Sequence, residues 1–354
     1  MNKSFWKNKK VLITGDTGFK GSWMSLILSE AGAKIQGFSD SKFNQNIQLY
    51  NSLQLEAVSN TIDADIRDKQ TVKKIFSKFQ PDIVFHLAAQ PLVRDSYIDP
   101  VTTYEVNVMG TINVLEAIRE SKSIKSAVMI TTDKCYENSE WVWGYRENDP
   151  LGGHDPYSSS KACAEVLIKS YQKSFFNEIN SSPGVSSVRA GNVIGGGDFS
   201  KDRLIPDIYR SISKKSEIVL RNPLATRPWQ HVLEPTSGYI LVAEQLYNKG
   251  SADNDSWNFG PHISDIRSVK EIVELFCSAW GIKPAINCHT NSIEPHEAIS
   301  LSLDISKACL SLNWSPKWNV ERAIEETSRW YKSYNENKNV LRLCIDQIEE
   351  FFSS

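Results

Sequence analysis

A glycine turn set between a short apolar run and a helical pattern constrains this chain more than any other feature. KKVLIT (9–14) reads as a first strand, GDTGFKG follows with Gly15, Gly18 and Gly21, and a helical pattern opens at Ser22. Glycines at that junction permit a tight strand-to-helix turn and let backbone N–H groups approach a pyrophosphate, whose charge is favoured at a helix N-terminus. Taken alone, the spacing also suits an ordinary glycine turn. Its place between a first strand and a first helix favours a dinucleotide. Asp16 puts a carboxylate inside that phosphate turn.

Short apolar runs then alternate with helical patterns, the rhythm of βαβ units on a parallel sheet. KIQGF (34–38), DIVFHLAA (82–89), SAVMITT (126–132) and VSSVRAGNVIG (185–195) read as further strands. Asp99 before Pro100 and Asp155 before Pro156 each place an N-cap acceptor ahead of a proline at the first helical position. Beyond residue 200 the rhythm loosens into tryptophan, proline and short helical pieces. The expected fold is therefore α/β: a doubly wound parallel (Rossmann) sheet over 1–200 with a smaller C-terminal α/β domain over 201–354. Some exchange of chain between the two is expected, with a cleft between them. The last twenty residues read as an amphipathic helix or a loose tail.

Composition excludes several classes. A 354-residue chain that is 40% hydrophobic and 23% charged can bury a sizeable core, which rules out wholesale disorder. Forty basic against 42 acidic residues leave no excess of cations for nucleic acid or a membrane surface. The six cysteines form no Cys-x-x-Cys pair and no zinc spacing, so reduced thiols and no metal are expected. The start has too short an apolar run for a signal peptide, and no stretch has the length of a membrane span. A cytoplasmic protein is the expectation.

Tyr157 and Lys161, four residues apart on a helix, share one face. A tyrosine hydroxyl has an ordinary pKa of ~10, and a nearby ammonium favours its phenolate, which makes the pair a proton acceptor for an alcohol. Thr132 at a strand end completes the group. Asp40, at the end of the second strand, suits the adenosine ribose of NAD and repels the extra phosphate of NADP. Asp65 is a second polar group for the adenine side.

These motifs, GDTGFKG, HLAA (86–89), Thr132 and YSSSK (157–161), resemble the extended short-chain dehydrogenase/reductase family. Thr132 is followed by Asp133 and Lys134, an acid and a base of the kind that elimination of water requires. With TTDKCYENSEWVWGYREN, VRAGNVIGGGD and RNPLATRPWQHVLEP, the resemblance narrows to nucleotide-sugar 4,6-dehydratases and covers nearly the whole chain. Similar enzymes that use dTDP-glucose carry glutamate where this chain has Lys134, so lysine points to the CDP-sugar branch.

The resemblance implies NAD held by residues 1–200 and a nucleotide sugar, CDP-glucose, held mainly by 201–354. It implies a cofactor site of Gly15, Gly18, Phe19, Gly21, Asp40, Asp65, Ile66, Leu87, Ala88, Ala89 and Asn107, with Tyr157 and Lys161. Gln90, Arg94, Asn192, Arg203, Arg221 and Arg227 are the expected substrate contacts, and Arg189 is a further cation for the diphosphate. Thr132, Asp133, Lys134, Tyr157 and Lys161 are the expected catalytic set. Trp141, Trp143 and Trp229 are candidate walls of the substrate site. A homodimer or homotetramer is implied, as is a place in deoxysugar and O-antigen synthesis. A 4-epimerase would leave Asp133 and Lys134 idle, and a non-catalytic NAD sensor would need none of the catalytic set.

Overall fold

In the computed structural model, which describes residues 1–43, 47–178, 182–288 and 298–353, seven parallel strands form one central sheet. They are β1 (Lys10–Thr14), β2 (Lys34–Ser39), β3 (Ile62–Asp63), β4 (Ile83–His86), β5 (Ser126–Ile130), β6 (Gly184–Ala190) and β7 (Ser256–Phe259). Their spatial order is β7-β6-β5-β4-β1-β2-β3. The order reverses between β1 and β4, and a ligand crevice opens at the carboxyl ends of the strands there.

Strand residues alternate between two cores, as a period of two demands. Val11 and Ile13 face a cluster with Trp6, Trp23 and Leu26, whereas Leu12 joins Val84, Met129, Val114 and Ile118 on the other side. Helices cover both faces. Among them are α1 (Phe19–Glu30), α2 (Lys69–Phe79), α3 (Pro100–Tyr104), α4 (Gly110–Glu120) and α5 (Pro156–Ser174). The two expected caps form: Asp99 accepts from the Thr102 N–H at 3.0 Å and Asp155 from the Ser158 N–H at 2.9 Å.

Several boundaries differ from the sequence-based expectation. Helix α1 begins at Phe19 rather than Ser22, because the turn already closes at Gly18 and the third glycine, Gly21, lies inside the helix against the Gly15 carbonyl. The run 185–195 is not one strand. After Ala190 the chain leaves the sheet, and Val193–Ile194 pairs with Gln230–His231 in a separate ladder. The break comes at Gly191, where a side chain would press on Pro228 and on the Asp133 carboxylate.

Segments on both sides of residue 200 contribute to the sheet and its cover. Helix α6 (Leu204–Lys214) lies outside the sheet, but α7 (Leu233–Lys249) packs on β5 and β6, and β7 extends the sheet beside β6. Helices α8 (Val269–Trp280) and α9 (Val320–Asn335) pack together, followed by α10 (Val340–Ser353). The last twenty residues are thus largely helix, which buries Leu343, Cys344, Ile348 and Phe351 on one face. No helix of the described residues is long and apolar enough to cross a membrane.

Candidate active site

Two adjoining cavities open at the carboxyl edge of the sheet. The first is built on the glycine turn. Gly15 has a φ of +72°, in the left-handed region, and a Cβ there would sit 2.8 Å from the Ala88 backbone nitrogen. Gly15, Gly18, Phe19 and Gly21 line this cavity, with Asp40 beyond β2, Asp65 and Ile66 beyond β3, and Leu87 to Ala89 beyond β4. Tyr157 and Lys161 close its inner end. A close backbone approach at a helix N-terminus, an apolar wall and a carboxylate after β2 fit a dinucleotide. The Asp65 carboxylate is clasped by Arg67, whose Nη2 is 2.7 Å away, and this pairing holds its pKa down.

Asp16 does not face this cavity. Its carboxylate turns inward over Gly37 and accepts hydrogen bonds from Ser39 at 2.9 Å, from Ser59 at 3.0 Å and from Thr61. Three hydroxyls from the ends of β2 and the segment before β3 compensate a buried anion, although burial still raises its pKa. The residue braces the turn and leaves the phosphate position to backbone N–H groups.

The second cavity is lined by Thr132, Asp133, Lys134 and Tyr157, and by Arg94, Asn192, Arg203, Arg221 and Arg227. Asp133 is buried; its Oδ1 accepts from the Thr132 hydroxyl at 3.0 Å and its Oδ2 has no hydrogen-bond partner. Burial raises its pKa, opposed by Lys134, Thr132, Arg227 and Lys20. Lys134 is only partly buried.

Tyr157 is buried on the first turn of α5, and burial pushes its hydroxyl up to about 12, opposed by the hydrogen bond with Thr132. Lys161 turns its ammonium to the Ile130 carbonyl at 3.3 Å, and burial lowers its pKa to about 8. The lysine was expected to lower the tyrosine's pKa; the lowering influences are instead Thr132 and Arg203, and burial outweighs them.

Several expected contacts lie elsewhere. Gln90 lines the first cavity rather than the second, with its amide spent on the Leu92 carbonyl and the Thr103 hydroxyl at 3.1 and 2.9 Å. Asn107 reaches neither cavity. It is a buried clamp that accepts from the Gln90 N–H at 2.8 Å and donates to Ser160 at 2.9 Å. Arg189 is buried beneath the site, paired with Glu165 at 2.6 Å and bonded to the Tyr136 hydroxyl at 2.6 Å, and so cannot neutralise a ligand. Trp229 does line the second cavity, with its indole N–H on the Arg267 carbonyl at 3.0 Å. Trp141 instead stacks on Tyr145, with Trp143 at its edge, outside the cavity.

The carboxylates Asp198 and Asp202 were not anticipated. Asp198 accepts from Arg203 at 3.3 Å, and Asp202 stands between Arg221 at 3.6 Å and Arg94 at 3.9 Å. Asp198 pairs with Arg203 inside GGGDFSKDR itself, whereas the partners of Asp202, Arg221 and Arg94, are distant in sequence.

The model of the GDP-mannose 4,6 dehydratase family matches residues 12–327. A CDP-glucose 4,6-dehydratase of Salmonella typhimurium is 46% identical over all of this chain and 99% of its own. A CDP-paratose 2-epimerase of Salmonella typhi is 26% identical over 92% of this chain and 99% of its own. Among solved structures, a dTDP-glucose 4,6-dehydratase of Bacillus anthracis in complex with NAD superposes with a TM-score of 0.78 at 23% identity, covering 94% of this chain and 99% of that one. A UDP-glucose 4-epimerase of Thermotoga maritima gives 0.79 at 21% identity, covering 92% and 99%. At such identities the two structures speak for the fold alone.

Proposed function

The chain belongs to the GDP-mannose 4,6-dehydratase family, and from that premise we propose that it converts CDP-glucose to CDP-4-keto-6-deoxyglucose and water. It is an NAD-dependent nucleotide-sugar dehydratase, a lyase with no net redox change. Identity of 46% to the Salmonella typhimurium enzyme over the whole chain supports the CDP sugar. The observation that carries the reaction type is Asp133, a buried carboxyl with a raised pKa and one unpartnered oxygen, placed beside Tyr157 where the two cavities meet.

When bound, NAD supplies a hydride acceptor for C4 and then a hydride donor for C6. Gly15, Gly18, Phe19, Gly21, Asp40, Asp65, Ile66 and Leu87 to Ala89 would hold it. Tyr157, beside Thr132, takes the C4 hydroxyl proton, and the Lys161 ammonium four residues along the same helix offsets the charge that develops on the phenolate. The C4 ketone acidifies the C5 proton, which the neutral amine form of Lys134 removes to become an ammonium. Asp133 gives its proton to the departing C6 hydroxyl, a role that its raised pKa favours. Arg94, Arg203 and Arg221 offset the diphosphate, while Asn192 donates from the same wall and the buried Arg227, whose guanidinium donates to the Thr226, Ala298 and Ile299 carbonyls, adds its charge behind them. A 4-epimerase would leave the buried acid unused.

On this reading residues 1–200 hold the cofactor, and the substrate wall is shared between 1–200 and 201–354. The enzyme works in the cytoplasm, in deoxysugar synthesis for surface polysaccharide such as O-antigen. A homodimer or homotetramer is supported by exposed Ile98, Val101 and Val166 on and beside α3 and α5. The test is incubation with CDP-, dTDP-, UDP- and GDP-glucose and mass analysis of the products. Loss of one water from CDP-glucose, faster than from the other three, is the expected result. An isomer of unchanged mass would mean an epimerase, and faster water loss from dTDP-glucose would overturn the CDP assignment.

A further inference from the structure

Lys20, the second residue of α1, takes no part in the steps above. Its side chain lines both cavities, as do those of Tyr157 and Arg203. The neighbouring cations each have an acceptor: Arg203 donates to Asp198 at 3.3 Å, and Lys161 to the Ile130 carbonyl at 3.3 Å. Lys20 has no hydrogen-bond or ion-pair partner among the described residues.

The charged groups that act on it come from three places. Arg203 ahead of α6 and Lys161 on α5 repel it, while Asp133 after β5 and Asp198 before α6 attract it. Burial and the two cations outweigh the two carboxylates, and its ammonium is pushed down to about 7. A lysine in that position lines both cavities and lacks a bonded anion to satisfy its donors.

Both ligands of the proposed reaction carry a diphosphate, and both cavities reach Lys20. We propose that Lys20 is a phosphate contact shared by the two ligands, donating to the pyrophosphate of the dinucleotide on one side and to the diphosphate of the nucleotide sugar on the other. The inference rests on the functional reading above. An ammonium suits this task because it carries three donors on a rotatable point charge, whereas a guanidinium is a planar fork matched to one anion at a time. A cation between two polyanions also offsets their mutual repulsion, which is strong where water is excluded. Each ligand should therefore bind more tightly in the presence of the other.

The test is calorimetric titration of the purified full chain and of Lys20→Met with NAD, with CDP and with cytidine. A hydrogen bond to a charged group corresponds to roughly tenfold or more in affinity, so NAD and CDP should each bind at least about tenfold more weakly to the variant. Cytidine has no phosphate, and its affinity should stay the same; a merely structural role for Lys20 would weaken it too and would overturn the proposal. Should Lys20→Met not fold, Lys20→Gln gives the same comparison with a polar side chain. Weakening of only one of NAD and CDP, or of neither, also overturns the shared contact. If the unaltered protein binds neither NAD nor CDP, the functional reading itself fails, which is a different outcome from a silent Lys20 substitution.

Discussion

The Thr132 hydroxyl donates to Asp133 Oδ1 at 3.0 Å and leaves Oδ2 of the same buried carboxylate without a partner. An oxygen kept free in this way can hold the proton that a leaving hydroxyl needs. Burial raises the pKa of Asp133, so the protonated, donating form is lost as pH rises through that raised value. Tyr157 must instead lose a proton from a hydroxyl held at about 12, so oxidation at C4 should gain with pH. Single-turnover measurements across the neutral range should therefore show water loss slowing and C4 oxidation quickening as pH rises. Parallel pH slopes for the two steps would deny them separate groups.

Tyr157→Phe keeps the ring and removes the proton acceptor. General-base assistance contributes typically 10²- to 10⁴-fold, and the variant should lose about that much in the first step. The check is the absorbance of reduced nicotinamide on rapid mixing with NAD and CDP-glucose, which should stay flat on the time scale of the unaltered enzyme.

Arg189 tests the reassignment from ligand contact to buried support. Removing one partner of a buried ion pair typically costs about 3 to 5 kcal/mol, because the other charge is left unpaired. Arg189→Met should lose stability of that order in urea, since Glu165 would keep only Thr131 and Ser187 as donors. The KM for CDP-glucose of the folded fraction should hardly move. A large rise in KM with unchanged stability would return Arg189 to the substrate.

What could be read from the sequence was what repeats locally. The glycine turn, the proline-led helices and Tyr157 with Lys161 each depend on residues a few positions apart, and each forms. Asp133 was legible through its neighbour Thr132. Asp16 was not, because the hydroxyls of Ser39, Ser59 and Thr61 that draw it inward come from strand ends more than twenty residues away. Arg189 was misread for the same reason: a cation near a strand end looks available until Glu165, on a helix that crosses the sheet, is placed against it. The return of β7 to the sheet likewise follows from pairing with β6 across about seventy residues, which no local pattern in SWNF announces.

Glu234, at the start of α7, predicts a pH dependence of stability away from the chemistry. Its Oε1 accepts from the Lys317 and Trp318 N–H groups at 3.0 and 2.7 Å, and burial raises its pKa from 4.5 to about 7. A folded-state pKa above the unfolded one means that this group's stabilisation is complete below pH 4.5 and is lost as pH rises through about 7. The loss is on the order of 3 kcal/mol. Glu234→Gln keeps an acceptor for both N–H groups and cannot ionise. Its urea midpoint should therefore fall less than that of the unaltered protein over the same pH span, and an identical fall would show that another group governs it.

The division of labour between Tyr157 on one side and Asp133 with Lys134 on the other is tested most directly by rapid-quench mass analysis of a single turnover with CDP-glucose. Asp133→Asn should still oxidise C4, yielding a 4-keto sugar that retains its C6 hydroxyl, with water loss slowed by about 10²-fold or more. Lys134→Ala should stop at the same 4-keto sugar, and in deuterated water it should take up no label at C5, whereas Asp133→Asn still exchanges that proton. Water loss by both variants at the rate of the unaltered enzyme would contradict the assignment of elimination to these two residues.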